Sequence, residues 1–418
     1  MEKLVINGGK KLSGDVKISG AKNSALPILS AVLLAEGKYL LQNIPQLKDI
    51  STMLKLLETL GVSSLQKEND VTVINTENLE LFTADYELVR TMRASILVLG
   101  PLLAKRGRAK VSLPGGCAIG ERPVDLHIKA LKQMGADIEV EHGYINAKCN
   151  KLKGSIINFD IVTVTGTENI MMAAALAEGT TVIKNAAQEP EVIDLARFLK
   201  GMGAKITGEG TKTIEVEGVS ELKSVDYSVM TDRIEAGTFL AAVAATGGKI
   251  KLLNCPVWAM TSVLEKFSEI GLKMEVSEDS IVAVMDKKPK AVDVTTLPYP
   301  GFPTDMQAQL MAVMTLSDGL SVITENIFEN RFMHVSELKR MGANIKLKDR
   351  SAVIKGEDKL TGAHVMASDL RASASLVIAA LAAEGESQVH RIYHLDRGYE
   401  KFDEKLRALS ADIRRERE

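Results

Sequence analysis

At 418 residues the chain is too long for one hydrophobic core, so two or three domains are expected. Lys and Arg total 52 against 54 Asp and Glu, and aromatics make up 4%. A net charge of −2 with so few rings argues against a nucleic-acid surface, a charged membrane-binding face or a base-stacking platform. The first ten residues lack the apolar segment of a signal peptide, and no run approaches the roughly 20 apolar residues of a membrane span. Cys117, Cys149 and Cys255 have no C-x-x-C spacing, and the six histidines form no H-E-x-x-H pair. A reduced, cytoplasmic protein with no metal and no cofactor is therefore expected.

In chain order, Leu4-Val-Ile-Asn-Gly-Gly-Lys-Lys-Leu-Ser-Gly14 is a strand followed by a connector. Then a unit begins that recurs to the end of the chain. It opens with an Ala/Leu/Met-rich helix that stops near a glycine: Gly37, Gly107, Gly179, Gly247, Gly319 and Gly385 in turn. A β-rich stretch follows, such as Thr180-Thr-Val-Ile-Lys-Asn185, and after it an amphipathic helix. In that helix Val192, Leu195, Ala196 and Leu199 share one face. Two short strands close each unit. The second helix ends in a phrase such as Gln133-Met-Gly-Ala136 or Arg340-Met-Gly-Ala343, anchored on Gly61, Gly135, Gly203, Gly271, Gly342 and Ser410. The anchors are spaced 74, 68, 68, 71 and 68 residues apart, which makes six copies.

Each copy is a small α+β layer. Three copies per domain, with helices inside and sheets outside, predict two similar domains. The sixth copy stops at Ala411-Asp-Ile-Arg-Arg415 without its last strand and connector. Leu4–Gly14 matches the missing piece, as comparison with Ala352-Val-Ile-Lys-Gly-Glu-Asp-Lys-Leu-Thr-Gly362 shows. Residues 21–230 are thus expected to form one domain, and residues 1–20 with 231–418 the other. A chain that crosses twice between domains predicts a hinge over a ligand cleft.

Fourteen residues before each helix-ending glycine stand Asn23, Arg93, Thr165, Arg233, Asp305 and Arg371. Asn, Thr and Asp are equally well explained as N-caps. Arginine is a poor cap beside the positive end of a helix dipole, so three arginines there point to anion binding. No phosphate-loop or dinucleotide fingerprint is present, and Gly208-Glu-Gly-Thr-Lys-Thr213 fails at its last position. His127 falls on a helix opened by Pro123, with Val124, Ile128 and Leu131 on its buried face, and is expected to line a groove. Cys149 and Cys255 lie beside strand-like stretches and are assigned to structure. Cys117 sits in Ser112-Leu-Pro-Gly-Gly-Cys-Ala-Ile-Gly-Glu-Arg-Pro123, where the local sequence leaves two readings open. It is a loop thiol without a role, or one whose pKa is lowered from about 8.5 by Arg122 and loop amides. Glycines 115, 116 and 120 would let such a loop close as a lid.

Five stretches carry a family resemblance: Gly20-Ala-Lys-Asn-Ser-Ala-Leu-Pro27, Pro114–His127, Phe328-Glu-Asn-Arg-Phe-Met-His334, Asp369-Leu-Arg-Ala-Ser-Ala374 and Asp396-Arg-Gly-Tyr-Glu400. Over its whole length the chain resembles the UDP-N-acetylglucosamine 1-carboxyvinyltransferases, enolpyruvyl transferases of the EPSP synthase-like family. The resemblance implies an inside-out α/β barrel pair of three repeats per domain. It also implies transfer of the enolpyruvyl group of phosphoenolpyruvate to the 3′-hydroxyl of UDP-N-acetylglucosamine, the first committed step of peptidoglycan synthesis. It places Lys22, Arg122, Arg331, Arg371 and Arg397 around the phosphate and carboxylate of phosphoenolpyruvate. Cys117 becomes the proton donor and the target of fosfomycin-type epoxides, and Asp305 the base; Lys22 and Arg397 complete the catalytic set. The nucleotide sugar falls to Asn23, Arg93, Arg122, Pro123, Val124, Asp125, Leu126, Thr163, Val164, Gly166, Asp305 and the Ile327 backbone, with Asp369 also in the substrate-binding set. One departure is visible: Ile161 stands where some members carry a lysine that reaches the diphosphate. The alternatives are a shikimate-3-phosphate enolpyruvyl transferase, whose Gly-Asn-Ala-Gly-Thr loop is absent, and a non-catalytic paralogue that binds the nucleotide sugar.

Overall fold

The computed structural model describes residues 2–67, 71–77, 79, 81–113 and 124–417, so Cys117, Arg122 and Pro123 lie outside the described residues. The third copy shows the unit plainly. Helix Val164–Ala174 leads to strand Thr180–Lys184, helix Pro190–Gly201 and strands Lys205–Thr207 and Thr213–Glu217. Thr180–Lys184 pairs antiparallel with Thr213–Glu217, which pairs antiparallel with Lys205–Thr207. The connector strand Ile156–Asn158 joins the other edge in parallel. Among the described residues this order recurs in six four-stranded sheets, none of which closes on itself. The barrel implied by the resemblance is thus realised as separate open sheets against helices.

The sixth sheet takes its third strand from the other end of the chain. Glu2–Asn7 lies between Glu386–His390 and Asp412–Arg417, antiparallel to both. Leu12–Lys17 then pairs in parallel with Gly248–Leu253. The described chain divides into two compact units, one from Gly20 to Met230 and the other from the segments ending at Ser19 and beginning at Thr231.

Composition explains which helices go inside. Arg233–Thr246 is rich in Ala, Phe, Leu and Val, and is buried from Arg233 through Ala244. A helix apolar on every face must be enclosed. Pro190–Gly201 instead buries Val192, Leu195, Ala196, Phe198 and Leu199 and turns Arg197 and Lys200 outward. Its proline sits at the first turn, where a missing N–H costs nothing.

The anchor glycines are conformational. Gly61, Gly135, Gly203, Gly271 and Gly342 have φ of 96°, 91°, 105°, 97° and 95°, values that L side chains resist. Ser410 holds the same place with φ of 70°. The upstream glycines act less uniformly than expected. Only Gly107 and Gly247 cap a helix. Gly37, Gly179, Gly319 and Gly385 lie beyond the helix end, where φ between 86° and 138° redirects the chain into the next strand.

Ser410→Gly should therefore relieve left-handed strain and raise stability by about 0.5–1 kcal/mol, even after the larger unfolded-state entropy of glycine. Thermal unfolding checks this; a lower melting temperature would contradict it.

Candidate active site

In the unit beginning at Gly20, Lys22 is the first residue of helix Lys22–Ala31, and its Nζ lies 3.3 Å from Asp49 Oδ2. Asn23 is exposed beside it. The helix start is fixed from within. Ser24 Oγ donates to Asp194, whose carboxylate also accepts from Tyr227 Oη at 2.6 Å and from the Met230 amide at 3.1 Å. Burial raises the Asp194 pKa, against the pull of these donors.

A second group gathers around His127, Asn169 and Thr165. Asn169 is oriented without ambiguity, because its Oδ1 accepts from the Gly100 amide at 2.7 Å and its Nδ2 donates to the Ile96 carbonyl at 3.0 Å. The same Nδ2 lies 3.0 Å from His127 Nδ1, which must then accept. The ring proton is left on Nε2, 3.4 Å from Thr165 Oγ1. Burial and then the Arg93 charge lower the His127 pKa to about 4, so the imidazole is neutral at pH 7. His127 is only 3% exposed, a buried place rather than the groove-lining one expected. The described helix runs Asp125–Gln133; Val124 and Leu126 are half-buried, and Asp125 is exposed.

Thr163 caps helix Val164–Ala174, its Oγ1 accepting from the Gly166 amide at 3.2 Å. A Cβ at Gly166 would stand 2.4 Å from Thr163 Cγ2, so the cap needs glycine there. Ile161 is exposed, and Lys129 Nζ lies 2.8 Å from Asp160 Oδ2 beside it.

In the other unit, Asp305 is the centre. Arg331 Nη2 donates to Asp305 Oδ1 and Arg371 Nη2 to Oδ2, both at 2.8 Å. The Arg331 and Arg371 side chains are only 4% and 5% exposed, the carboxylate 26%. Burial alone would raise the carboxyl pKa. The Arg371 and Arg331 charges overcome it and hold Asp305 well below the usual carboxylate range. Arg371 lies 5.3 Å from the Tyr399 ring, and its Nη1 is buried with no hydrogen-bond partner among the described residues. Tyr399 Oη accepts from Gln309 Nε2 at 3.1 Å, and the same amide donates to the Asp305 carbonyl at 2.8 Å. The ring under Arg371 is thereby tied to the backbone of Asp305.

Buried Glu325 fixes the neighbouring segment. Its Oε1 accepts from the Ile327 and Phe328 amides at 2.8 and 3.1 Å, and its Oε2 from Thr304 Oγ1 at 2.8 Å. The Ile327 N–H is thus taken, leaving its carbonyl as the backbone group for a ligand. Asp369 caps helix Leu370–Ala382 by accepting from the Arg371 and Ala372 amides, each at 3.0 Å. His334 packs within this group, and burial, despite Asp369, lowers its pKa to about 4. Arg397 ends the tight turn Ile392–Arg397.

The caps correct the sequence reading. Thr163, Asp232 and Asp369 receive the helix amides, not Asn23, Thr165 or Asp305. Arg93 opens a 3₁₀ turn before its helix and Asp305 lies within one, Thr304–Met306, so neither faces an α-helical N-terminus directly. Sequence reasoning passed over Asn169 and Glu325, which have partners tens of residues away at His127 and Thr304. Tyr399 was visible only as part of Asp396–Glu400. Burial raises the thiol pKa of Cys149, and pushes Cys255 up to about 12, which fits inert packing. The described residues contain no cluster fit for a metal ion, and no helix long and apolar enough to cross a membrane.

The chain matches the family model described as EPSP synthase (3-phosphoshikimate 1-carboxyvinyltransferase) over residues 6–406. It is 55% identical to a UDP-N-acetylglucosamine 1-carboxyvinyltransferase of Geobacter metallireducens, covering 100% of both chains. It is 56% identical to one of Thermodesulfovibrio yellowstonii, over 99% of this chain and 100% of that one. Among solved structures, the enolpyruvyl transferase NikO from Streptomyces tendae is similar with a TM-score of 0.90 at 23% identity, covering 99% of each chain. An EPSP synthase from Acinetobacter baumannii is similar with a TM-score of 0.77 at 19% identity over 100% of each.

The buried histidine sets a pH dependence. Unfolded His127 titrates near 6.5, whereas the folded side chain holds out to about 4. Between these values the unfolded chain binds more protons, so stability falls as pH drops through that window and is restored above about 6.5. Unfolding free energies at pH 7 and pH 4.5 should show a smaller acid loss in His127→Gln than in wild type. An equal loss in both would contradict the assignment.

Proposed function

Because the chain belongs to the EPSP synthase family of carboxyvinyl transferases, we propose that it transfers the enolpyruvyl group of phosphoenolpyruvate to the 3′-hydroxyl of UDP-N-acetylglucosamine and releases phosphate. The reaction would be the first committed step of peptidoglycan synthesis, carried out in the cytoplasm. The observation that carries this reading is end-to-end identity of 55% with a protein named for that activity. The likeness to EPSP synthase structures, at 19% identity, speaks to the fold alone.

In this reading the 3′-oxygen bonds to C2 of phosphoenolpyruvate, its proton passes to Asp305, and Cys117 delivers a proton to C3. Phosphate then leaves C2 while C3 gives up a proton, which regenerates the double bond. Lys22, Arg122, Arg331, Arg371 and Arg397 would hold the phosphate and carboxylate. Asp305 paired to two guanidiniums is ionised but weakly basic. Anionic groups placed against Arg331 and the unpartnered Nη1 of Arg371 would counter the field that depresses it. Substrate would thereby switch on its own base. The nucleotide sugar would take Asn23, Arg93, Arg122–Leu126, Thr163, Val164, Gly166, Asp305 and the Ile327 carbonyl, with Asp369 in the same set. Where Ile161 replaces lysine, Lys129 is the cation at hand for the diphosphate, through its place beside Asp160.

Phosphate release with phosphoenolpyruvate and UDP-N-acetylglucosamine tests the reading. Release only with shikimate-3-phosphate would overturn the acceptor, and release with neither would favour a binding paralogue. Cys117→Ala should lower kcat by about 10³-fold or more with cooperative unfolding intact; wild-type turnover would remove Cys117 from the mechanism. A fosfomycin-type epoxide should add its mass at Cys117, and inhibition with Cys117 unmodified would count against that residue as its target.

A further inference from the structure

Counting five residues on from the anchor reaches the following strand in five of the six copies. Val140, Val276 and Leu347, each about half exposed, stand there in three copies, Gln66 in the first, and Arg415 in the sixth. Arg415 is two residues beyond buried Ile413 on edge strand Asp412–Arg417, opposite Leu4 of Glu2–Asn7. A guanidinium only 27% exposed needs compensating acids, and this one has three. Its Nη2 donates to Asp396 Oδ1 at 2.8 Å and its Nη1 to Asp396 Oδ2 at 3.0 Å, a two-pronged pair. Nη2 also reaches Asp403 Oδ1 at 3.1 Å, and Nη1 reaches Glu2 Oε2 at 3.1 Å.

Asp396 is the residue before Arg397, on the turn Ile392–Arg397. That turn is seated by buried Ile392 and Leu395, and the Gly398 and Tyr399 amides both donate to the Leu395 carbonyl at 3.0 Å. Asp403 lies on the next helix, Phe402–Ala408. One side chain from the last strand therefore grips both elements that flank Arg397. It also occupies both oxygens of the carboxylate nearest in sequence to that cation.

We propose that Arg415 is a positioning residue for phosphoenolpyruvate: it fixes the turn that presents Arg397 and keeps the Asp396 carboxylate bound away from the anionic substrate. The proposal rests on the transferase reading above and on the place that reading gives Arg397.

The test uses the full chain with Arg415→Leu, which takes the residue of the fifth copy, and Arg415→Lys, which keeps charge but not the two-pronged pair. Initial rates give KM for each substrate, and thermal unfolding reports the fold. Both variants should raise KM for phosphoenolpyruvate by about tenfold, the Leu variant more, with KM for UDP-N-acetylglucosamine within about twofold of wild type. Asp396→Asn should reproduce the effect, since it breaks the same pair from the other side. An active wild type whose variants keep the phosphoenolpyruvate KM, or raise both KM values equally, would overturn the proposal while leaving the transferase reading intact. A wild type that releases no phosphate would overturn the reading, and this proposal with it.

Discussion

Two buried guanidiniums share one carboxylate, and the chemistry proposed for this chain depends on that arrangement. Arg331 and Arg371 are nearly closed to solvent and lie on separate segments, yet each reaches a different oxygen of Asp305 at 2.8 Å. Two enclosed cations without an anion between them would repel each other in a low-dielectric setting, and breaking such a pair costs about 3–5 kcal/mol where burial is complete. Asp305 is a quarter exposed, so the lower end applies. The compensation is temporary by nature. In the proposed reaction an anionic substrate would offer the arginines an equivalent partner and return basicity to the carboxylate. The free protein would thus hold its acid and its cations against one another until the substrate separates them.

Around this pair, buried polar groups with several partners each tie the segments together. Glu325 holds the Ile327 and Phe328 amides with one oxygen and Thr304 with the other, which ties the Ile327 segment to the turn bearing Asp305. Gln309 bridges Tyr399 and the Asp305 carbonyl. Asn169 does comparable work for His127 and Thr165 in the other unit. The bonded atoms of each are held by backbone or by another side chain, although Gln309 Oε1 is buried with no hydrogen-bond partner among the described residues.

The repeat was legible because glycine was needed at fixed places. Five of six anchors require positive φ, and Ser410 adopts it too, so the period survived where the residue did not. The count of fourteen residues back from the helix-ending glycines found Asp305 and Arg371, which the structure brings into contact. It could not identify the caps, since a one- or two-residue offset decides whether a side chain meets the helix amides, and a 3₁₀ turn before the helix shifts that offset at Arg93 and Asp305. Asn169, Glu325 and Arg415 were missed for another reason. Each has at least one partner distant in sequence, and nothing local distinguishes an arginine that clamps Asp396 from one on a solvated strand. Arg415 stands out only against three of the other copies, where Val140, Val276 and Leu347 take its place.

The shared-partner account of Asp305 is tested most directly by calorimetric binding of phosphoenolpyruvate to wild type and Asp305→Ala in the presence of UDP-N-acetylglucosamine. Removing the carboxylate leaves Arg331 and Arg371 free for the substrate, so the account predicts binding at least as tight as wild type, by up to about tenfold, with turnover lost. Clearly weaker binding of phosphoenolpyruvate by the folded variant would contradict it.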